Sequence, residues 1–153
     1  MIFAEIFVTL TVTIIKIMSA STKLSTSVKA ICYLSKSHPN PKTSSEIAEN
    51  IEVNASKLRK ILSMLVKNGI VESTYGTSGG FILKKDPGQI HLQEIYCAIE
   101  DRKAFHLDVS KYNNGNSNKK LNEFFLDLFT DIQIDIENKM KKINIQSIME
   151  KTN

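Results

Sequence analysis

A chain of 153 residues, 42% hydrophobic and 24% charged, has the make-up of one soluble domain with at most an appendage, which excludes a disordered or fibrous polymer. Its net charge of +4 is unevenly placed: residues 1–99 carry 11 basic and 7 acidic groups, residues 100–153 carry 9 of each, so the excess lies in the half expected to meet a polyanion. Two cysteines, Cys32 and Cys97, make neither a disulfide framework nor a metal pair and fit a reduced, cytoplasmic compartment.

The chain opens on an apolar run, Ile6–Ile15, in which Val8, Leu10, Val12 and Ile14 alternate with threonines. A membrane span needs ~20 apolar residues. A secretory signal carries its positive charge before the run, whereas Glu5 precedes this one and Lys16 follows it. Residues 1–19 are therefore expected to be an extension outside the fold, with Met18 as the natural start, and no membrane partner is expected. A helix from Lys23 to about Ser37 follows, with Leu24, Val28, Ile31 and Leu34 as its apolar stripe. The prolines of His38-Pro39-Asn40-Pro41 end it.

Thr43 and Glu46 then form a capping box for a short helix to about Asn50. Asn54 caps a second helix, whose Leu58, Ile61, Leu62, Leu65 and Val66 recur at helical spacing. Asn68-Gly69 stops it. Two β-prone runs, Ile70–Tyr75 and Gly80–Leu83, are joined by a Gly-rich turn in which Gly79 or Gly80 is expected at positive φ. Helix, tight turn, helix and hairpin in that order predict a winged helix-turn-helix over residues 20–100. Between Val53 and Lys85 the bases are Lys57, Arg59, Lys60, Lys67, Lys84 and Lys85, against one acid, Glu72. With the second helix's stripe turned inward, Ser56, Lys57, Arg59, Lys60 and Ser63 lie on or near its outer face, a mixture able to read base edges and neutralise phosphates.

After the turn Asp86-Pro87-Gly88, Ile90 is expected to add a short third strand, and Leu92 to about Glu100 a helix capped near His91. Residues 101–118, polar and Asn-rich, read as a flexible loop. Residues 119–153 read as a long helix to about Lys142 and a tail of one or two further helical turns. The helix places Leu121, Phe124, Phe125, Leu128, Phe129 and Ile132 at spacings of three or four. So broad an apolar face on so small a domain predicts pairing with a second copy. The expected fold is mostly α with a small β-hairpin wing: a winged helix-turn-helix plus a long C-terminal dimerisation helix.

The order K-L-S-T (Lys23–Thr26), S-S-E-I-A-E (Ser44–Glu49), L-V-K-N-G-I-V (Leu65–Val71), G-T-S-G-G-F (Gly76–Phe81) and I-H-L-Q-E-I (Ile90–Ile95) resembles the Rrf-two family of bacterial transcription regulators. The resemblance implies a homodimeric DNA-binding protein, usually a repressor, on a partly palindromic operator. It implies recognition-helix positions at Ser56, Lys57, Arg59 and Lys60; Lys23, Asn54, Tyr75, Thr77 and Ser78 complete the DNA-facing candidates. Many relatives carry Arg where this chain has Tyr75, and some carry Glu in place of Arg59, so no relative's operator transfers. The family's cluster-binding branch has three cysteines before the long helix. This chain has none after Cys97, and an iron–sulfur cluster is not expected.

No Walker loop, H-E-x-x-H or G-x-S-x-G occurs, and His38, His91 and His106 are scattered, so no catalytic residue, metal or cofactor is expected. The rival reading is a winged domain used only for protein–protein assembly. Cys32 on an apolar stripe and Cys97 among Gln93, Glu100 and Asp101 are expected to be unreactive thiols; the alternative is a Cys32–Cys97 redox bridge across the dimer.

Overall fold

The computed structural model describes residues 22–100 and 119–152. The expected N-terminal extension, with its start at Met18, and the expected loop over 101–118 lie outside the described residues. Helix α1 (22–37) buries Ala30, Ile31 and Leu34, with Leu24 and Val28 packed at the core's edge. Helix α2 (Ser44–Asn50) begins at the capping box. Thr43 Oγ1 accepts from the Glu46 N–H at 3.2 Å, and the Glu46 carboxylate accepts from the Thr43 N–H at 2.7 Å. Glu52, at φ 55°, turns the chain sharply into the next helix.

Helix α3 (Ala55–Lys67) places Leu58, Ile61, Leu62 and Leu65 at the centre of the core. Asn68 ends it, and Gly69 at φ 69° takes the left-handed turn that lets the Ile70 N–H reach the Leu65 carbonyl. Strands β1 (Val71–Thr74) and β2 (Gly80–Leu83) pair antiparallel, with Val71 opposite Leu83 on the core side and Thr74 opposite Gly80 at the tip.

The third strand of this sheet is not Ile90. Its place goes to Lys42, whose backbone exchanges hydrogen bonds with Phe81 at 3.1 and 2.8 Å. Glycine at position 80 permits that approach, because a Cβ there would lie 2.6 Å from the Lys42 carbonyl oxygen. Ile90 is fully buried instead and pairs with the other end of the chain. The Leu92 N–H donates to the Ile143 carbonyl and the Ile145 N–H to the Ile90 carbonyl, at 2.8 and 2.9 Å.

A 3-10 turn at Pro87–Gln89 leads to α4 (Leu92–Ile99), whose N-cap is His91. Helix α5 (Lys119–Lys141) packs on α4. Asn144 then accepts from the Ser147 N–H and starts α6 (Ile145–Thr152), which lies against the 3-10 turn and returns Ile145 to the winged core. Among the described residues no helix is long and apolar enough to cross a membrane.

Candidate nucleic-acid interface

The interface is built on α3. Asn54 Oδ1 accepts from the backbone N–H groups of Ser56 and Lys57 at 2.9 and 3.1 Å, so its side-chain oxygen is spent on aiming the helix. With the leucine stripe turned inward, Ser56, Lys57, Arg59, Lys60 and Ser63 all stand exposed. Neither Lys57 nor Lys60 enters an ion pair among the described residues, which leaves both ammonium groups open to an incoming anion. Arg59 is steadied instead: its Nε donates to Ser44 Oγ at 3.4 Å, tying the recognition face to the start of α2. Ser44 is a site residue that sequence reading does not nominate; it lies 15 positions upstream, and no local pattern announces the contact.

The remaining candidate cations divide. Lys23 is half-buried, with its ammonium 3.9 Å from Glu100, so that carboxylate competes with any phosphate for it. Lys85 is held by Glu94 at 2.7 Å, whereas Lys84 beside it is exposed. The basic excess read from the sequence is therefore concentrated on α3.

The wing carries Tyr75, Thr77 and Ser78, all exposed. Its turn needs glycine for two different reasons, and the expected one does not apply to Gly79 or Gly80. Positive φ falls at Gly76, at 105°. Gly79 and Gly80 are required by close approach, since a Cβ would lie 2.6 Å from the Thr74 carbonyl oxygen at the first and 2.6 Å from that of Lys42 at the second.

Helix α5 presents the expected apolar face. Leu121 is 54% and Phe124 60% exposed, and Phe125 and Leu128 are open as well, with Phe129 and Ile132 half-buried. The rings of Phe124, Phe125 and Phe129 touch in series, with centroids 5.6 and 5.8 Å apart. Ile134 is also exposed, but nine residues on from Phe125 it lies on the opposite side of the helix, outside that face. The one fully buried side chain of α5 is polar: Gln133 donates to Glu137 at 2.8 Å, and Glu137 in turn lies 3.5 Å from Gln93 of α4.

Cys32 is half-buried against the core, and burial raises its thiol pKa, opposed by Lys36. Cys97 is exposed as a residue, yet its thiol is also raised, first by desolvation and then by the Glu137 carboxylate, with Lys141 opposing. The carboxylate acting on it comes from α5 and not from its own helix; Glu100 faces Lys23 instead. Gln93 Nε2 donates to Cys97 Sγ at 3.3 Å. Among the described residues no three His, Cys, Asp or Glu side chains gather where a metal could sit. With two cysteines in the whole sequence, on two different helices, the donor set does not fit an iron–sulfur cluster.

Residues 20–151 match the Rrf2 family, described as "Iron-dependent Transcriptional regulator". The chain is 31% identical over 125 residues to YwnA of Bacillus subtilis (strain 168), named as an HTH-type transcriptional regulator, covering 78% of this chain and 91% of that one. It is 39% identical over 64 residues to YwgB of the same organism, spanning 42% of this chain and only 41% of the relative. Among solved structures, CymR (YrzC), the global cysteine regulator of B. subtilis, superposes with a TM-score of 0.65 at 20% identity, covering 86% of this chain and 96% of that one, which shows a shared fold. The chain belongs to the Rrf2 family of DNA-binding transcriptional regulators.

Proposed function

We propose that this regulator works as a homodimeric repressor in the cytoplasm, binding a partly palindromic operator and acting by binding alone, without catalysis. The observation that carries the reading is the outer face of α3: Lys57, Arg59 and Lys60 are exposed on a helix whose opposite side is locked into the core. Lys57 and Lys60, outside any ion pair among the described residues, can release counterions from DNA when they meet phosphates, and an oriented guanidinium can fork onto guanine O6 and N7. The open aromatic face of α5 supports the dimer, since so large an apolar surface is stabilised by meeting its own copy. Two copies of α3 would then enter successive major grooves roughly 34 Å apart.

A salt titration tests this reading against a purely protein-binding role. Lys57→Ala or Lys60→Ala should weaken binding to every duplex and flatten the log–log salt slope by about one. Arg59→Ala should relax preference at one base pair. Binding indifferent to salt would overturn the reading. The probe is the DNA upstream of the protein's own gene, searched for an inverted repeat.

A further inference from the structure

Two adjoining clefts lie where the end of α1, the base of the wing, the 3-10 turn and α6 meet. The larger, of about 340 Å³, is walled by Ser35 of α1, by His38 just beyond it and by the run from Leu83 to Pro87. The second, of about 230 Å³, shares Ser35 and Pro87 with it and runs along Gln146, Met149 and Glu150 of α6. The larger cleft is at the small end of the range for small-molecule sites, roughly 300–1,000 Å³. Its floor is apolar, with Leu83 buried and Pro87 half-buried. None of these residues belongs to α3 or to the tip of the wing.

The charges on the walls are unspent. Lys84 and Asp86 are both exposed, line the same cleft and sit two positions apart, but neither forms an ion pair among the described residues. Asp86 stands at the N-cap of the 3-10 turn and makes no side-chain capping bond there. Lys85, between the two, is taken by Glu94 at 2.7 Å. We infer that the cleft binds a free α-amino acid: its carboxylate on the Lys84 ammonium, its ammonium on the Asp86 carboxylate, and its side chain over Pro87 into the cleft along α6. A simple anion would be opposed by Asp86 and a simple cation by Lys84, whereas a zwitterion satisfies both walls. In the adjoining cleft Met149 offers apolar contact, and Gln146 Nε2 donates to the Glu150 carboxylate at 3.0 Å. That carboxylate opposes an acidic side chain, so the site favours neutral amino acids over aspartate and glutamate.

The test is an NMR titration of the full, isotope-labelled chain with L-methionine, L-alanine and L-glutamate, without DNA. Backbone resonances from Lys84 to Gln89 should shift with L-methionine, with a dissociation constant on the order of 1 mM, because both charged contacts are open to solvent. L-Glutamate should bind about fivefold more weakly. Propionate and ethylamine each keep one charge of alanine, and each should bind about fivefold more weakly than L-alanine. Lys84→Met and Asp86→Asn should each weaken L-methionine by a similar factor; both residues are exposed, and an unchanged urea midpoint shows that the variants fold. Propionate that matches L-alanine, variants that bind L-methionine as tightly as the parent, or no shift from Lys84 to Gln89 with either neutral amino acid overturns the inference. No DNA is present, so none of these results touches the DNA-binding reading, and a failure of DNA binding leaves the ligand of the cleft standing.

Discussion

Helices α3 and α5 carry the same kind of apolar stripe and meet opposite fates. In α3, Leu58, Ile61, Leu62 and Leu65 are all within 5% of complete burial. In α5, Leu121 and Phe124 remain more than half exposed, and the side chain that is buried is Gln133. Helical spacing tells which residues share a face; it does not tell what covers that face. The cover for α3 is supplied within the chain by α2, β1 and α4, whereas α5 has α4 on one side and an open aromatic surface besides. The difference separates a helix that is part of a core from one whose aromatic face stays open, the face on which the proposed dimer rests.

The largest expected effect breaks that comparison at α5. Phe125→Asp or Leu128→Asp places a charge in the proposed seam, at about 3–5 kcal/mol for each buried, unpaired carboxylate, and the two-fold relation applies it twice. Sedimentation should show monomers, and operator affinity should collapse with them. A dimer that survives either change would place the interface on another face.

The matching change in α3 acts on the fold itself. Leu62 is fully buried, so Leu62→Ala should cost about 2–5 kcal/mol, read as a lower urea midpoint at every protein concentration. A midpoint that recovers at high protein concentration would mean that α3, too, depends on a partner.

What the sequence revealed follows the range of the interactions. The Thr43–Glu46 box, the Asn54 cap and the Asn68-Gly69 stop were legible, because each is made by residues within four or five positions of one another; the second strand of the hairpin was legible as well, while the first, expected over Ile70–Tyr75, is shorter by one residue at each end. Ile90 was legible as strand-like, but its partner lies more than fifty positions downstream, and no local pattern could choose between that segment and the wing. The same holds for Arg59 on Ser44 and for Glu137 beside Cys97. The wing glycines were legible as necessary, but for the wrong reason, since steric approach by a distant backbone leaves no mark in the turn itself.

Ile145 sharpens the boundary between the two regions. It belongs by sequence to the segment with α5, yet it is fully buried in the winged core and hydrogen-bonded to Ile90. Ile145→Ala should cost about 2 kcal/mol, the low end for a buried isoleucine. If the loss appeared only in dimer affinity and not in unfolding, α6 would belong to the interface and not to the core.

The smallest effect tests the region where local chemistry alone is at work. Thr43→Ala should cost about 1 kcal/mol by removing the hydroxyl that caps α2. The cap also has a pH signature. The Glu46 carboxylate accepts from the Thr43 N–H and from its hydroxyl, and these two bonds, with Lys42 nearby, hold its pKa below the ordinary glutamate value. Because the folded value lies below the unfolded one, the contribution is fully present above the unfolded pKa and is lost as pH falls through the folded one. Glu46→Gln should therefore be less stable than the parent by a constant margin above about pH 5, with the two curves converging on acidification. A margin that persisted unchanged to pH 2 would show that the carboxylate's charge plays no part in the cap and that Glu46 supports the first turn of α2 by its neutral hydrogen bonds with Thr43.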